Sequence, residues 1–416
     1  MTKGHAVTPH SNLPDQSAIR AQFPALQGPT VFLENAGGSQ VPISVADRMH
    51  RYLTQTYVQL GAGYSLSQQS TATVEAAHEF ARTLLNVGTG HAILGPSSTA
   101  LLNILADSIG NVLQAGQRII LAETGHEANL GCWKRLESRG IEIVWWRLDP
   151  ETITCPLDDL QRLLNEGAAL VALPHVSNLL GEIVDLATIT QMAHAAGARV
   201  VADGVAYAPH RAIDVQALGV DWYVYSTYKV YGPHMAVLYG SEVALAELTG
   251  PNHFFIPDND LPYKFEPGGA NHESCAGLLG LGDYLKFLTG TPADDECTRA
   301  VVEAGFARMQ AWEEPLIARL LAYLNDHPKV RVIGPSDAKT DRVGTISFVH
   351  RARTSREICA DVDRSEVAIR YGHMYAWHLC QALDFDLEDG VVRVSFVHYN
   401  TLAEIERLIA VLDSIL

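Results

Sequence analysis

Basic residues are scarce in this chain. Thirty lysines and arginines face 47 aspartates and glutamates, a formal charge of −17. That balance argues against a nucleic-acid surface and against binding to an anionic membrane face. Long apolar runs of membrane-spanning length are also missing, and the opening Met1-Thr2-Lys3-Gly4-His5 has no signal-like apolar segment. Cysteine is sparse: Cys132, Cys155, Cys275, Cys297, Cys359 and Cys380 contain no Cys-x-x-Cys pair and outline no disulfide framework. Reduced thiols in a cytoplasmic protein are therefore expected, with neither membrane nor nucleic acid among the partners. What is present is a globular composition, 47% hydrophobic and 19% charged, in 416 residues, enough for a large domain and a smaller one.

From Val31 onward, short apolar runs alternate with helical patterns. Ile119–Ala122, Ile141–Trp145, Leu170–Leu173, Arg199–Ala202 and Trp222–Tyr225 read as strands, with helices such as Leu157–Asn165 and Leu186–Ala196 between them. Strands that are apolar throughout and spaced by helices indicate an α/β fold whose mainly parallel sheet is covered on both faces. Ala236–Tyr239 reads as an antiparallel addition to it. Near residue 290 the pattern changes. One long helix is expected over Pro292–Leu324 with a break at Pro315, then strands at Val330–Ile333, Thr345–Val349 and Val391–Phe396, and a closing helix Leu402–Leu416. The division expected is an arm over 1–30, a large domain over 31–290 and a small α+β domain over 291–416, with the arm packing near the small domain.

The chemistry gathers where apolar runs end. Val200-Val201-Ala202 ends in Asp203, and Trp222–Tyr225 ends in Ser226-Thr227-Tyr228-Lys229. A lysine at the end of a buried strand has a depressed pKa, and its neutral amine can form a Schiff base with an aldehyde. An acid one strand earlier suits a protonated pyridine nitrogen. Lysine, acid and phosphate ligands together are what pyridoxal phosphate requires. An isolated Lys229 would otherwise read as a surface residue at a strand end. Ser97-Ser98-Thr99 opens a helical stretch, Leu101–Ile109, and suits either a phosphate or an ordinary N-cap. His126 in Gly125-His126-Glu127 suits ring stacking, a structural histidine or half of a metal pair, and no second ligand stands at metal spacing, so no metal is expected. Asn178 suits a phenolic oxygen or a turn.

These residues resemble the class V aminotransferase family, and within it the cysteine desulfurases of the selenocysteine-lyase type. The resemblance rests on Asp203-Gly204, Ser226–Pro233, His126–Asn129, His175–Gly181, Phe265–Asn271, Asn35-Ala36-Gly37, Arg370–His373 and Arg393-Val394-Ser395, in one order over residues 20–416. It implies a pyridoxal-phosphate-dependent transferase of fold type I with a seven-stranded sheet. It further implies that Lys229 carries the cofactor and moves the substrate α-proton, Asp203 holds the pyridine nitrogen and His126 stacks on the ring. Asn178 would touch the 3-oxygen, and Ser98, Thr99, Ser226 and Tyr228 would bind phosphate. Arg393 would clamp the carboxylate of a small amino-acid substrate, with Ala36, Gly37 and Tyr375 beside it. Such enzymes form homodimers, in which Gly269 and Asn271 would serve the neighbouring subunit.

The sequence departs from the family on the substrate side. Desulfurases carry a persulfide-forming cysteine five residues after the arginine matching Arg370, and here that position is Tyr375. Cys380 lies five residues further on, in an apolar stretch that reads as core. Ala206 stands where glutamine is usual, and Tyr228 replaces a histidine. The expectation is a carbon–sulfur or other β-elimination lyase acting on an amino acid without a persulfide cysteine. The alternatives are an aminotransferase, an epimerase, or a cofactor-binding protein without catalysis.

Overall fold

A computed structural model describes residues 13–416 of the chain, so residues 1–12 of the expected arm lie outside it. A two-residue strand, β1 (Val31–Phe32), precedes a seven-stranded sheet made of β2 (His91–Gly95), β3 (Arg118–Ala122), β4 (Glu142–Trp146), β5 (Leu170–Pro174), β6 (Arg199–Asp203), β7 (Trp222–Ser226) and β8 (Ala236–Gly240). The order is β2-β8-β7-β6-β5-β3-β4. Neighbours from β7 through β4 pair in parallel, and β8 alone runs antiparallel to both of its neighbours. The α/β class, the parallel sheet and the antiparallel Ala236 strand match the sequence expectation.

The unbroken apolar character of the central strands follows from burial on two sides. Val171, Leu173, Val200, Ala202, Tyr223 and Tyr225 enter one core, while Leu170, Ala172, Val201, Trp222 and Val224 enter the opposite one. Period-two alternation thus divides each strand between two apolar layers, and fully burying each large side chain stabilises the fold by about 1.5–3 kcal/mol. β2 is an edge strand, and the buried Glu266 carboxylate accepts the N–H of Leu94 (2.6 Å) and meets His78 Nε2 (2.8 Å).

A second sheet combines β9 (Val330–Ile333) and β10 (Thr345–His350) with β12 (Arg370–Gly372) and β13 (Val391–Ser395), while β11 (Val367–Ala368) pairs in parallel with β1. The four-stranded order is β12-β13-β10-β9, all antiparallel. Helices Arg299–Asp326, Ser355–Asp363 and Leu402–Ile415 contribute to its apolar core. The described part of the N-terminal segment reaches the last helix and the turn before it: Arg20 pairs with Glu404 at 3.0 Å and donates to the Tyr399 carbonyl at 2.8 Å.

Two expectations about the long helix fail. It begins at Arg299 rather than Pro292, after Thr298, and it passes through Pro315 without ending. Proline at 315 removes the donor for the Ala311 carbonyl. Ala311 lies on the exposed side, where water can take that carbonyl, while Leu316, Ile317, Leu320, Leu321 and Leu324 bury the other face. Packing outweighs the local penalty. The helix expected from Leu101 starts earlier, at Ser98, which brings the hydroxyl residues into its first turn.

Candidate active site

In a parallel sheet the strand ends that point one way share one edge. Gly95, Ala122, Pro174, Asp203 and Ser226 close their strands there. The loops that follow bring Ser98, Thr99, His126, Asn178, Asp203, Tyr228 and Lys229 around one narrow slot, with Ala206 in its wall. These residues were singled out separately in the sequence, and the fold brings them together. Ser226 adds its hydroxyl from the end of β7, with Oγ 2.7 Å from Ser98 Oγ.

Lys229 follows β7 in a short 3₁₀ turn, Thr227–Lys229. Burial, and after it the Arg393 charge, lower its pKa to about 8 against the opposing effect of Asp203 and Glu34. A substantial neutral fraction follows near pH 8, which a nucleophilic amine needs. Two residues later Tyr231 adopts a left-handed backbone (φ 59°) and donates its hydroxyl to the Pro209 carbonyl at 2.7 Å, so the turn carrying the lysine is tied down.

Asp203 ends β6 almost fully buried, and burial raises its pKa against the opposing Val205 hydrogen bond and Lys229 charge. Its Oδ1 accepts the Val205 N–H at 2.9 Å. Gly204 beside it is obligatory: a Cβ there would lie 2.1 Å from the Tyr223 ring. His126 Nδ1 accepts the Ala128 N–H at 3.0 Å, which leaves the proton of the neutral ring on Nε2. Burial, then Lys229 and Arg393, lower its pKa to about 4, so the ring is neutral at physiological pH.

A second, wider cavity of about 600 Å³ opens from the slot at Lys229, Tyr228, His126 and Asn178. Ala36, Gly37, Tyr375 and Arg393 line it, as do Glu34, Arg370 and Glu388. Arg393 sits on β13, is 3% exposed and donates from Nη1 to the Asn178 carbonyl at 3.2 Å. Burial lowers its pKa to about 10, and its Nε has no partner among the described residues. Tyr375 is exposed. It follows Met374 in a pair of left-handed residues (φ 62° and 43°), held where Glu127 N–H donates to the Tyr375 carbonyl and Asn178 Nδ2 to the Met374 carbonyl, both at 2.8 Å. Its ring centroid lies 5.3 Å from that of His126.

Gly269 and Asn271 line neither cavity of this chain. Gly269 is exposed with φ 82°, and Asn271 caps helix His272–Thr289 by accepting the Ser274 N–H at 2.8 Å. Sequence reading missed Glu34 and its proximity to both arginines. Glu34 follows the apolar Val31-Phe32-Leu33 just as Asp203 follows its own strand, and that pattern was the available signal.

The donor set suits pyridoxal phosphate. Asp203 is a buried acid whose hydrogen bond comes from the Val205 N–H and which has no ion-pair partner among the described residues, as a pyridinium N–H requires. Asn178 Oδ1 is buried without a donor among the described residues, which a hydroxyl at the ring's 3-position would satisfy. Ser98 and Thr99 occupy the first turn of a 13-residue helix, where free N–H groups and the dipole favour a phosphate.

The thiols contribute nothing here. All six are unpaired, none lines either cavity, and burial pushes each of them up to about 12. Cys380 lies fully buried in helix Trp377–Ala382, as its apolar surroundings indicated.

Comparison with known proteins places this architecture among characterised ones. The family model described as aminotransferase class-V matches residues 31–408. An aminotransferase-like protein of Gibberella zeae is 38% identical over 96% of this chain and 98% of its own length. A cysteine desulfurase of Serratia proteamaculans is 31% identical over 95% and 97% of the two chains. The solved structure of a cysteine desulfurase from Thermococcus onnurineus superimposes with a TM-score of 0.85 at 25% identity, covering 97% of this chain and 98% of that one.

Proposed function

Because this chain belongs to the class-V aminotransferase family and is thus a pyridoxal-phosphate-dependent enzyme, we propose that it is a lyase. In this reading it removes a β-substituent, best a sulfur one, from a small amino acid without using a persulfide cysteine. The observation that carries this reading is the absence of a usable thiol: Tyr375 holds the expected position, and the nearest alternative in sequence, Cys380, is wholly buried with its thiol pushed up to about 12.

The bound cofactor supplies an aldehyde for Lys229 and an electron sink that acidifies the substrate α-carbon. The remaining work belongs to the chain. Arg393 holds the substrate carboxylate and so fixes which bond at the α-carbon faces Lys229. The Lys229 amine, neutral in substantial part near pH 8, takes the α-proton. Electrons from that bond then expel the β-substituent as a thiolate, which picks up a proton. Asp203 would hold the ring nitrogen in its protonated form, and Ser98, Thr99, Ser226 and Tyr228 would hold the phosphate. His126, a neutral imidazole, would lie against the ring. None of these steps requires a protein thiolate. The products are a thiol and, after hydrolysis, a 2-oxo acid and ammonia.

The test is acceptor dependence. Cofactor-loaded protein given an S-substituted cysteine, with no 2-oxo acid added, is expected to release thiol and 2-oxo acid in equal amounts. Turnover that appears only when a 2-oxo acid acceptor is supplied would favour the second reading, an aminotransferase. That reading draws on the description of the Gibberella relative. We further place the enzyme in a reducing cytoplasm as a homodimer, a reading supported by the six unpaired cysteines and by the position of Gly269 and Asn271 away from their own cavity.

A further inference from the structure

Arg370 on β12 and Arg393 on β13 are direct partners across an antiparallel pair. Opposed residues extend to the same face of a sheet, and like charges placed there repel. Both line the wider cavity, and one carboxylate serves them: Glu34 Oε1 lies 2.6 Å from Arg370 Nε and 3.9 Å from Arg393 Nη2. Glu34 reaches this place because its backbone bridges Ser395, two residues beyond Arg393. Gly37 leaves room for it, since a Cβ there would lie 2.2 Å from Glu34 Oε1. No N–H is aligned on that buried oxygen, and Arg393 Nε is likewise without a partner among the described residues. Two guanidinium groups therefore share one protein carboxylate, and the buried one retains an unused donor.

We infer that Glu34 determines specificity: it occupies Arg370 and excludes amino acids whose side chains carry a carboxylate. The count of charges carries the argument. One incoming carboxylate on Arg393 brings the cluster to two cations and two anions. A second carboxylate on the same substrate finds Arg370 already engaged and meets the negative charge of Glu34. Glu388, which also lines the cavity, adds no cation. The cluster thus selects against a second carboxylate on the substrate, where Arg393 alone would select only for an α-carboxylate. This inference rests on the proposal that Arg393 takes the α-carboxylate.

The test compares L-asparagine with L-aspartate, which match in shape and differ in charge. Dissociation constants are read from the visible absorption of the cofactor in the loaded protein, directly or by displacement of the tightest-binding neutral amino acid. Wild type is expected to favour asparagine by about tenfold or more, the effect of one unfavourable charge contact at a partly hydrated site. E34Q keeps the shape, removes the charge and is expected to bring the two constants within about twofold. G37A, which displaces the carboxylate without neutralising it, is expected to narrow the ratio as well, and it serves if E34Q does not fold. An unchanged ratio in a folded variant, while R393Q loses asparagine binding, would overturn the role of Glu34 and leave the clamp standing. Unchanged asparagine binding in R393Q would overturn the clamp itself.

Discussion

The inner slot and the outer cavity share Lys229 but are built differently. The slot is assembled from loops that follow successive strands of one sheet, so each of its polar residues sits at the end of an apolar run. The outer cavity takes Glu34–Gly37 from the chain's beginning and Arg370–Tyr375 and Arg393 from the second sheet. The inner part carries most of the motifs that resemble the family's cofactor site, with Ala206 and Tyr228 as its departures. The outer part holds the departure that removes the expected persulfide cysteine, at Tyr375. The two regions thus draw on different parts of the fold and meet at Lys229, Tyr228, His126 and Asn178.

The largest expected effect breaks the slot. Lys229→Ala should lower turnover by about a thousandfold or more and remove the visible band of the covalently held cofactor, as steady-state assay and absorption spectra would record. Unchanged spectra would rule out Lys229 as the attachment site. A smaller effect isolates the outer cavity. Arg393→Lys loses the forked geometry that meets a carboxylate, so KM should rise about tenfold or more while the spectrum of the cofactor-loaded protein stays as in wild type.

A pH measurement joins the two regions. The Lys229 amine is reactive only when neutral, so the rate of cofactor capture by cofactor-free protein should rise with pH through about 8 and then flatten. Arg393→Gln removes a charge that lowers the lysine pKa, and the midpoint should move upward. Asp203→Asn removes a charge that raises it, and the midpoint should move downward. Identical midpoints in all three proteins would mean that Lys229 is not electrostatically linked to either neighbour. The smallest effect concerns the thiol. Cys380→Ala should cost about 1 kcal/mol of stability by loss of buried volume, seen as a lowered Tm, and leave turnover unchanged.

Much of the slot was legible in the sequence for a physical reason. A polar residue after an unbroken buried strand has one place to go in a parallel sheet, so Asp203, Ser226 and Lys229 could be assigned to one edge before any coordinates. The α/β class and the antiparallel Ala236 strand were legible in the apolar runs themselves, and the burial of Cys380 in the apolar stretch around it. The meeting of Glu34, Arg370 and Arg393 was not. It depends on the register of β12 against β13 and on a single bridge from Glu34 to Ser395, contacts between segments far apart in sequence with no local pattern to announce them. The long helix was misjudged because proline was weighed by its local cost, whereas the five apolar residues after it decided the outcome. Gly269 and Asn271 were recognisable as a motif, yet within one chain they line neither cavity.

The fate of sulfur in a single turnover with L-cysteine tests the central claim most directly. If Lys229 and the cofactor complete the reaction without a protein thiol, all of the sulfur should appear as free sulfide beside an equal amount of 2-oxo acid, and the protein mass should be unchanged. Sulfur retained on a cysteine of the protein, Cys380 above all, would contradict the account and return the enzyme to persulfide chemistry.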